Sequence, residues 1–205
     1  MSRFLLATSV VVLAASTARG QATQPPPIRV AASSFATVEV HINSRPIGRR
    51  WYEEDAGLTG PARIAISYGQ PHARGRKIVG GLIPNDTVWR FGANTATTLH
   101  TDVDLMIGTV QIPRGDYSLF LLHNGSAWQL IVNSGTAQWG TDRVATRDLS
   151  RVTMAARDMR DNEESLTIYL VPDSPDPSTG YAKFSGVLRI RWGTTELSAP
   201  WTVKE

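Results

Sequence analysis

Apolar residues recur along this chain with a period of two, the spacing of a strand with one buried face. Val38, Val40 and Ile42 alternate with Glu39 and His41, and Ile64, Ile66 and Tyr68 alternate with Arg63, Ala65 and Ser67. Near the end, Phe184, Leu188, Ile190 and Trp192 share one phase, and Ser185, Val187, Arg189 and Arg191 the other. Leu197, Ala199, Trp201 and Val203 repeat the device, and Pro200, which has no N–H to donate, predicts that this last strand lies at an edge. The strongest local signal is Asn124-Gly125, a pair suited to a type I′ turn, between Tyr117–Leu122 and Trp128–Val132. The strands of this hairpin are apolar on both phases, which predicts a place deep in the sheet. No stretch carries apolar i, i+3, i+4, i+7 spacing over three turns; a helical turn is expected at most within 148–156.

Short strands in such succession predict an all-β fold, an antiparallel β-sandwich of jelly-roll-like form, which alternation alone does not separate from a barrel. Residues 45–62, with Arg49-Arg50 and Glu53-Glu54-Asp55, and 173–180, dense in Pro, Ser and Asp, read as surface loops. Their acidic residues lack the spacing of a calcium loop.

The amino terminus changes the picture of where the chain works. Met1, Ser2 and Arg3 precede an apolar run from Phe4 to Ala15, and small residues follow to Ala18. That is the pattern of a secretory signal peptide over residues 1–20, with Ala18-Arg19-Gly20 as the cleavage signal. The run is too short for a mature helix across a bilayer core of about 30 Å. A Pro-rich linker over 21–33 and a single β-sandwich domain over 34–205 complete the expected organisation, with no transmembrane segment after cleavage. The expected location is secreted or periplasmic. There is no cysteine, so neither a disulfide nor a lipid on cysteine is available and the core alone must hold the fold.

Charge narrows the partners. The formal net charge is +3, and removal of Arg3 and Arg19 with the leader leaves +1. Such a chain has no global field to draw in nucleic acid, so no nucleic-acid partner is expected.

Chemistry is densest from Tyr68 to Thr98. Arg74, Arg76, Lys77 and Arg90, with Trp89 and Asn94, form a candidate binding set: guanidinium forks suit carboxylate or phosphate, and an indole face suits a sugar ring. The competing reading makes Arg74 to Lys77 a solvated turn, pairs Arg90 with Asp102 or Asp104, and buries Trp89. Eighteen of the 21 basic residues are arginine, so an arginine-rich stretch is partly a habit of this chain. The four histidines, His41, His72, His100 and His123, lack metal-ligand spacing, so no metal or other cofactor is expected. Neither Gly-x-Ser-x-Gly nor Ser-x-x-Lys occurs, and Gly75 and Gly80-Gly81 lack the spacing of a phosphate-cradling loop. Most of the six tryptophans sit on the apolar phase of a strand; Trp139, after the polar Asn133-Ser134-Gly135 turn, is the one placed to present its ring to solvent, but core or loop packing is the expectation for it too.

Gly75-Arg76-Lys77-Ile78, Val88-Trp89-Arg90-Phe91-Gly92-Ala93-Asn94, Pro113-Arg114-Gly115-Asp116-Tyr117-Ser118-Leu119 and Gln138-Trp139-Gly140 together resemble a family of uncharacterised secreted bacterial proteins, a domain of unknown function. Its hallmark is a Gly-Arg-Lys-Ile…Val-Trp-Arg-x-Gly-Ala-Asn block, and the resemblance covers most of the chain past the leader. It implies a mostly β, exported protein and supplies no catalytic residue. Two departures stand out: the family's Tyr-x-Arg-Pro reads Tyr68-Gly69-Gln70-Pro71, and Thr95 stands where an acidic or polar residue often follows Gly-Ala-Asn.

Three functional classes remain: a binding or envelope-associated module for a small anionic or sugar-like ligand, a secreted hydrolase built on His72, His100 and nearby carboxylates, and a structural protein assembling through an edge strand.

Overall fold

The computed structural model describes residues 31–42, 44–47, 50–53, 62–125, 127–174, 177–178 and 184–204; the expected leader and most of the linker lie outside them. The strands are β1 (Ser34–Ile42), β2 (Ser44–Ile47), β3 (Arg50–Glu53), β4 (Ala62–Gln70), β5 (Val88–Trp89), β6 (Thr97–Thr101), β7 (Leu105–Ile107), β8 (Val110–Ile112), β9 (Gly115–Asn124), β10 (Ala127–Asn133), β11 (Asp148–Pro172) and β12 (Ser185–Val203). The all-β class read from the alternation is what is observed. The main strands hydrogen-bond as one continuous antiparallel sheet, in the order β1-β4-β6-β9-β10-β11-β12-β7-β8, rather than as two separate sheets. Part of the expected 45–62 loop is a small hairpin of its own, β2 with β3. Among the described residues no helix is long and apolar enough to cross a membrane.

Two features curl this sheet around its core. The long β11 pairs with β10 through Met154 and with β12 from Ala155, and its ladder to β12 slips between Asp158 and Thr167 opposite Gly193, whose φ is +60°. Extra residues on one strand bend and twist a ribbon. The bend brings Leu166 N–H to the Pro71 carbonyl (3.0 Å) and Ala73 N–H to the Glu164 carbonyl (2.7 Å), so the chain beyond β4 pairs with the middle of β11. Leu99, Leu119, Leu130, Leu188, Ile190 and Trp201 thereby share one buried cluster, although they lie far apart in the strand order.

The β9/β10 hairpin is buried on both faces as expected: Leu119, Leu121 and Leu130 enter the main core, and Phe120 and Ile131 pack with Ala96 on the other side. Its turn sits one residue later than predicted, because Asn124 pairs with Ala127 and Gly125, φ +67°, opens the turn. β12 is not an edge; Pro200 falls where the ladder to β11 has ended at Ser198 and the ladder to β7 begins at Trp201, a gap that needs no N–H. The helical turn expected within 148–156 occupies Ala145–Arg147, and Asp148 already begins β11. Phe184 shares the sequence phase of Leu188 but precedes β12 and is exposed.

β5 and β6 lie end to end along the same edge of β9. The loop between them, 90–96, therefore leaves the sheet there. That geometry divides the predicted binding set.

Candidate functional site

The segment 72–85 is a folded loop with its own bonds. Arg74 and Gly75 take left-handed φ values of 51° and 71°, and the turn they make is tied to β11 by Arg74 N–H donating to Glu164 Oε1 (2.7 Å). Arg76 folds back on its own loop, donating from Nε to the Ala73 carbonyl (3.0 Å) and from Nη2 to the His72 carbonyl (2.8 Å). Ile78 is buried and rests against Gly193, where an added Cβ would stand 3.0 Å from Ile78 Cγ1. Bare backbone at the bend of β12 is thus what lets the loop dock.

Where that loop meets the bend there is a cleft of about 670 Å³. Arg76 and Lys77 line one side, and Arg157 and Asp158, the last residues of β11 before its slip, with Asn162 inside the slip, line another, with Thr194 and Thr195 of β12. His123 and Trp128 form the remaining wall, cross-strand partners stacked at 4.2 Å between centroids and 20° between planes. Arg76, Lys77 and Arg157 line the cleft together with one carboxylate residue, Asp158, so basic residues outnumber acidic ones in its lining.

Arg157 is held from behind. Its Nε donates to Glu196 Oε1 (2.6 Å), and Arg191 Nε donates to Glu196 Oε2 (2.5 Å) while lying over the Tyr169 ring at 5.4 Å. Glu196 is buried. The hydrogen bond from Arg157 holds its carboxyl below the usual carboxylate range against the opposing effect of burial, and Arg191 adds to the lowering. The Arg191 guanidinium is pushed up in turn, chiefly by its bond to Glu196. A carboxylate paired in this way stays ionised and fixes both cations.

The six residues singled out from the sequence do not converge on one place. Arg76 and Lys77 share the cleft. Arg74 donates to the Ala32 carbonyl (2.5 Å). Trp89 is core, stacked on Trp192 at 5.5 Å and 20° and edge-on to Phe91 at 6.2 Å. Arg90 and Asn94 belong to the 90–96 loop and meet at Gly140. Arg90 does not pair with Asp102 or Asp104: Asp102 accepts from Arg63 N–H (2.9 Å) and contacts His100, and Asp104 accepts from Arg114 N–H (2.8 Å).

His72 and His100 sit in separate networks. His72 Nδ1 is 2.7 Å from Ser165 Oγ, and His100 lies between Asp116 (2.8 Å) and Asp102 (3.0 Å). Among the described residues no three His, Cys, Asp or Glu side chains are grouped to hold a metal ion. Among the cleft residues not anticipated from sequence are His123, Trp128, Asp158, Arg157, Asn162, Thr194 and Thr195. The last four are brought to Arg76 only by the bend of the β11/β12 ribbon, and no local pattern announces a bend.

No curated protein and no solved structure matches this chain. One family model does match, over residues 53–200, which takes in the 72–85 loop, the cleft and the 90–96 loop. The chain therefore belongs to the DUF2911 family, a protein family of unknown function.

Proposed function

We propose that the chain is an exported or envelope-associated binding module whose cleft between the 72–85 loop and the β11/β12 bend takes a small anionic ligand bearing a phosphate or carboxylate. The observation that carries this reading is the meeting of Arg76, Lys77 and Arg157 in one cleft with a single carboxylate residue in its lining. Arg76 and Arg157 are already fixed by the His72 and Ala73 carbonyls and by Glu196, so little side-chain freedom is lost when an anion binds. Asn162, Thr194 and Thr195 supply neutral hydrogen-bonding groups, and the His123–Trp128 pair supplies a flat wall for the rest of the ligand. Export rests on the leader-like residues 1–20.

The test is a thermal-shift series on the mature protein with inorganic phosphate, di- and tricarboxylates, and neutral sugars as controls. A ligand that binds only the native state at a hundredfold excess over its Kd adds about 2.7 kcal/mol. For a domain of this size that raises Tm by roughly 5–10 °C. The expected result is a shift with an anion that is lost in the Arg76→Gln/Lys77→Gln double variant and reduced in Arg157→Gln. No shift with any anion at tens of millimolar, or a shift unchanged in the double variant, overturns the proposal.

A further inference from the structure

The part of the predicted set that the cleft leaves out forms a second constellation. The 90–96 loop and the 137–142 segment are locked by Gly140 N–H to the Asn94 carbonyl (2.9 Å), Ala96 N–H to the Gln138 carbonyl (3.1 Å) and a bridge between Thr95 and Trp139. Gly140 is the contact point: a Cβ there would stand 2.7 Å from Arg90 Cδ, 3.0 Å from Arg90 Cβ and 2.9 Å from the Asn94 carbonyl oxygen. The aliphatic stem of Arg90 thus lies across bare backbone next to Trp139.

Three side chains there are left uncommitted. Among the described residues the half-buried Arg90 guanidinium has no hydrogen-bond or ion-pair partner, whereas Arg143, five residues from Asp148, is paired with that carboxylate. Asn94 is exposed, on left-handed backbone with φ 64°. Trp139 is 48% exposed, unlike Trp89, Trp128, Trp192 and Trp201, all of which are buried. A half-exposed indole is a platform for the apolar face of a pyranose, an amide exchanges hydrogen bonds with ring hydroxyls, and a free guanidinium fork takes a carboxylate.

We propose that Arg90, Asn94 and Trp139 around Gly140 form a second, separate site for an acidic saccharide, with a uronate carboxylate on Arg90 and the sugar ring on Trp139. It depends on none of the cleft residues.

The experiment is affinity electrophoresis of the mature protein through gels containing polygalacturonate, neutral galactan or polyglutamate, at low ionic strength. Wild type is expected to be retarded by polygalacturonate and far less by the other two. Arg90→Gln and Trp139→Ala, each shown by its melt to be folded, should weaken that retardation roughly ten- to a hundredfold, the size of a lost charge-assisted hydrogen bond. The Arg76→Gln/Lys77→Gln variant should run as wild type. Equal retardation by polyglutamate overturns the saccharide assignment, and equal retardation by neutral galactan overturns the acidic one. No retardation of wild type, or retardation lost in the Arg76→Gln/Lys77→Gln variant but kept in Arg90→Gln, overturns the site itself.

Discussion

Replacing Glu196 by Gln keeps the side chain's size and removes the charge that ties Arg157 and Arg191 together. Breaking a fully buried ion pair by removing one partner costs about 3–5 kcal/mol, and an exposed pair contributes about 0–1 kcal/mol. Glu196 is only 4% exposed at its side chain, but Arg157 is 59% and Arg191 30% exposed, so water recovers part of what each arginine loses. The expected loss for Glu196→Gln is therefore intermediate, about 2 kcal/mol at pH 7. For a domain of this length that is a fall in Tm of roughly 4–8 °C by calorimetry. The sign with pH follows from the lowered pKa of Glu196. A carboxyl depressed in the folded state contributes stability that is present above its unfolded pKa and is lost as pH falls through the folded value. The gap between wild type and Glu196→Gln should hold from pH 7 to about 5, shrink once pH falls through the ordinary glutamate range, and close only below the depressed folded value, where the wild-type carboxyl also becomes neutral. The other carboxylates titrate in both proteins and cancel from the difference. A gap that is absent at pH 7, or that persists unchanged to pH 3, refutes the role given to this carboxylate.

Gly69→Ala should be among the most damaging small substitutions, because its Cβ would stand 1.9 Å from the Ala93 carbonyl oxygen; chemical denaturation should show a loss of about 3 kcal/mol or more. The Trp89–Trp192 stack predicts a coupling of about 0.5–1.5 kcal/mol in a double-mutant cycle with leucine at each position, and additive effects would contradict the packing role of Trp89. Leu130→Ala, at a fully buried position between the hairpin and the core, should cost about 3–5 kcal/mol in the same assay without changing the relative affinities for anions.

How far the sequence reads through to the structure depends on the range of each interaction. Alternation located β1, β4 and β12 because burial of one face is a local property: Ile64, Ile66 and Tyr68 are buried where their period placed them. Asn124-Gly125 located the hairpin to within one residue, because its turn is a local backbone preference. Packing is the sequence expectation for Trp139, and the structure corrects it: the ring is exposed, since its segment pairs with the 90–96 loop and not with a core strand. The 25-residue β11 is not legible in the sequence, because its middle spans a register slip where Asp158, Arg160, Asp161 and Asn162 interrupt the alternation. The bend at that slip, not any motif, brings Arg157 and Asn162 into the same cleft as Arg76. Arg74 to Asn94 looked like one site because the residues are adjacent in sequence. β5 separates them, sending Trp89 inward and Arg90 out with the next loop.

Anion binding in the cleft at the β11/β12 bend can be read residue by residue in an amide NMR titration of the protein with the best anion from the thermal series. Binding there predicts shifts concentrated at residues 76–79, 157–162 and 193–195, saturating together with one Kd and absent in Arg76→Gln/Lys77→Gln. Perturbations scattered over the surface, or centred on residues outside the cleft, would contradict it.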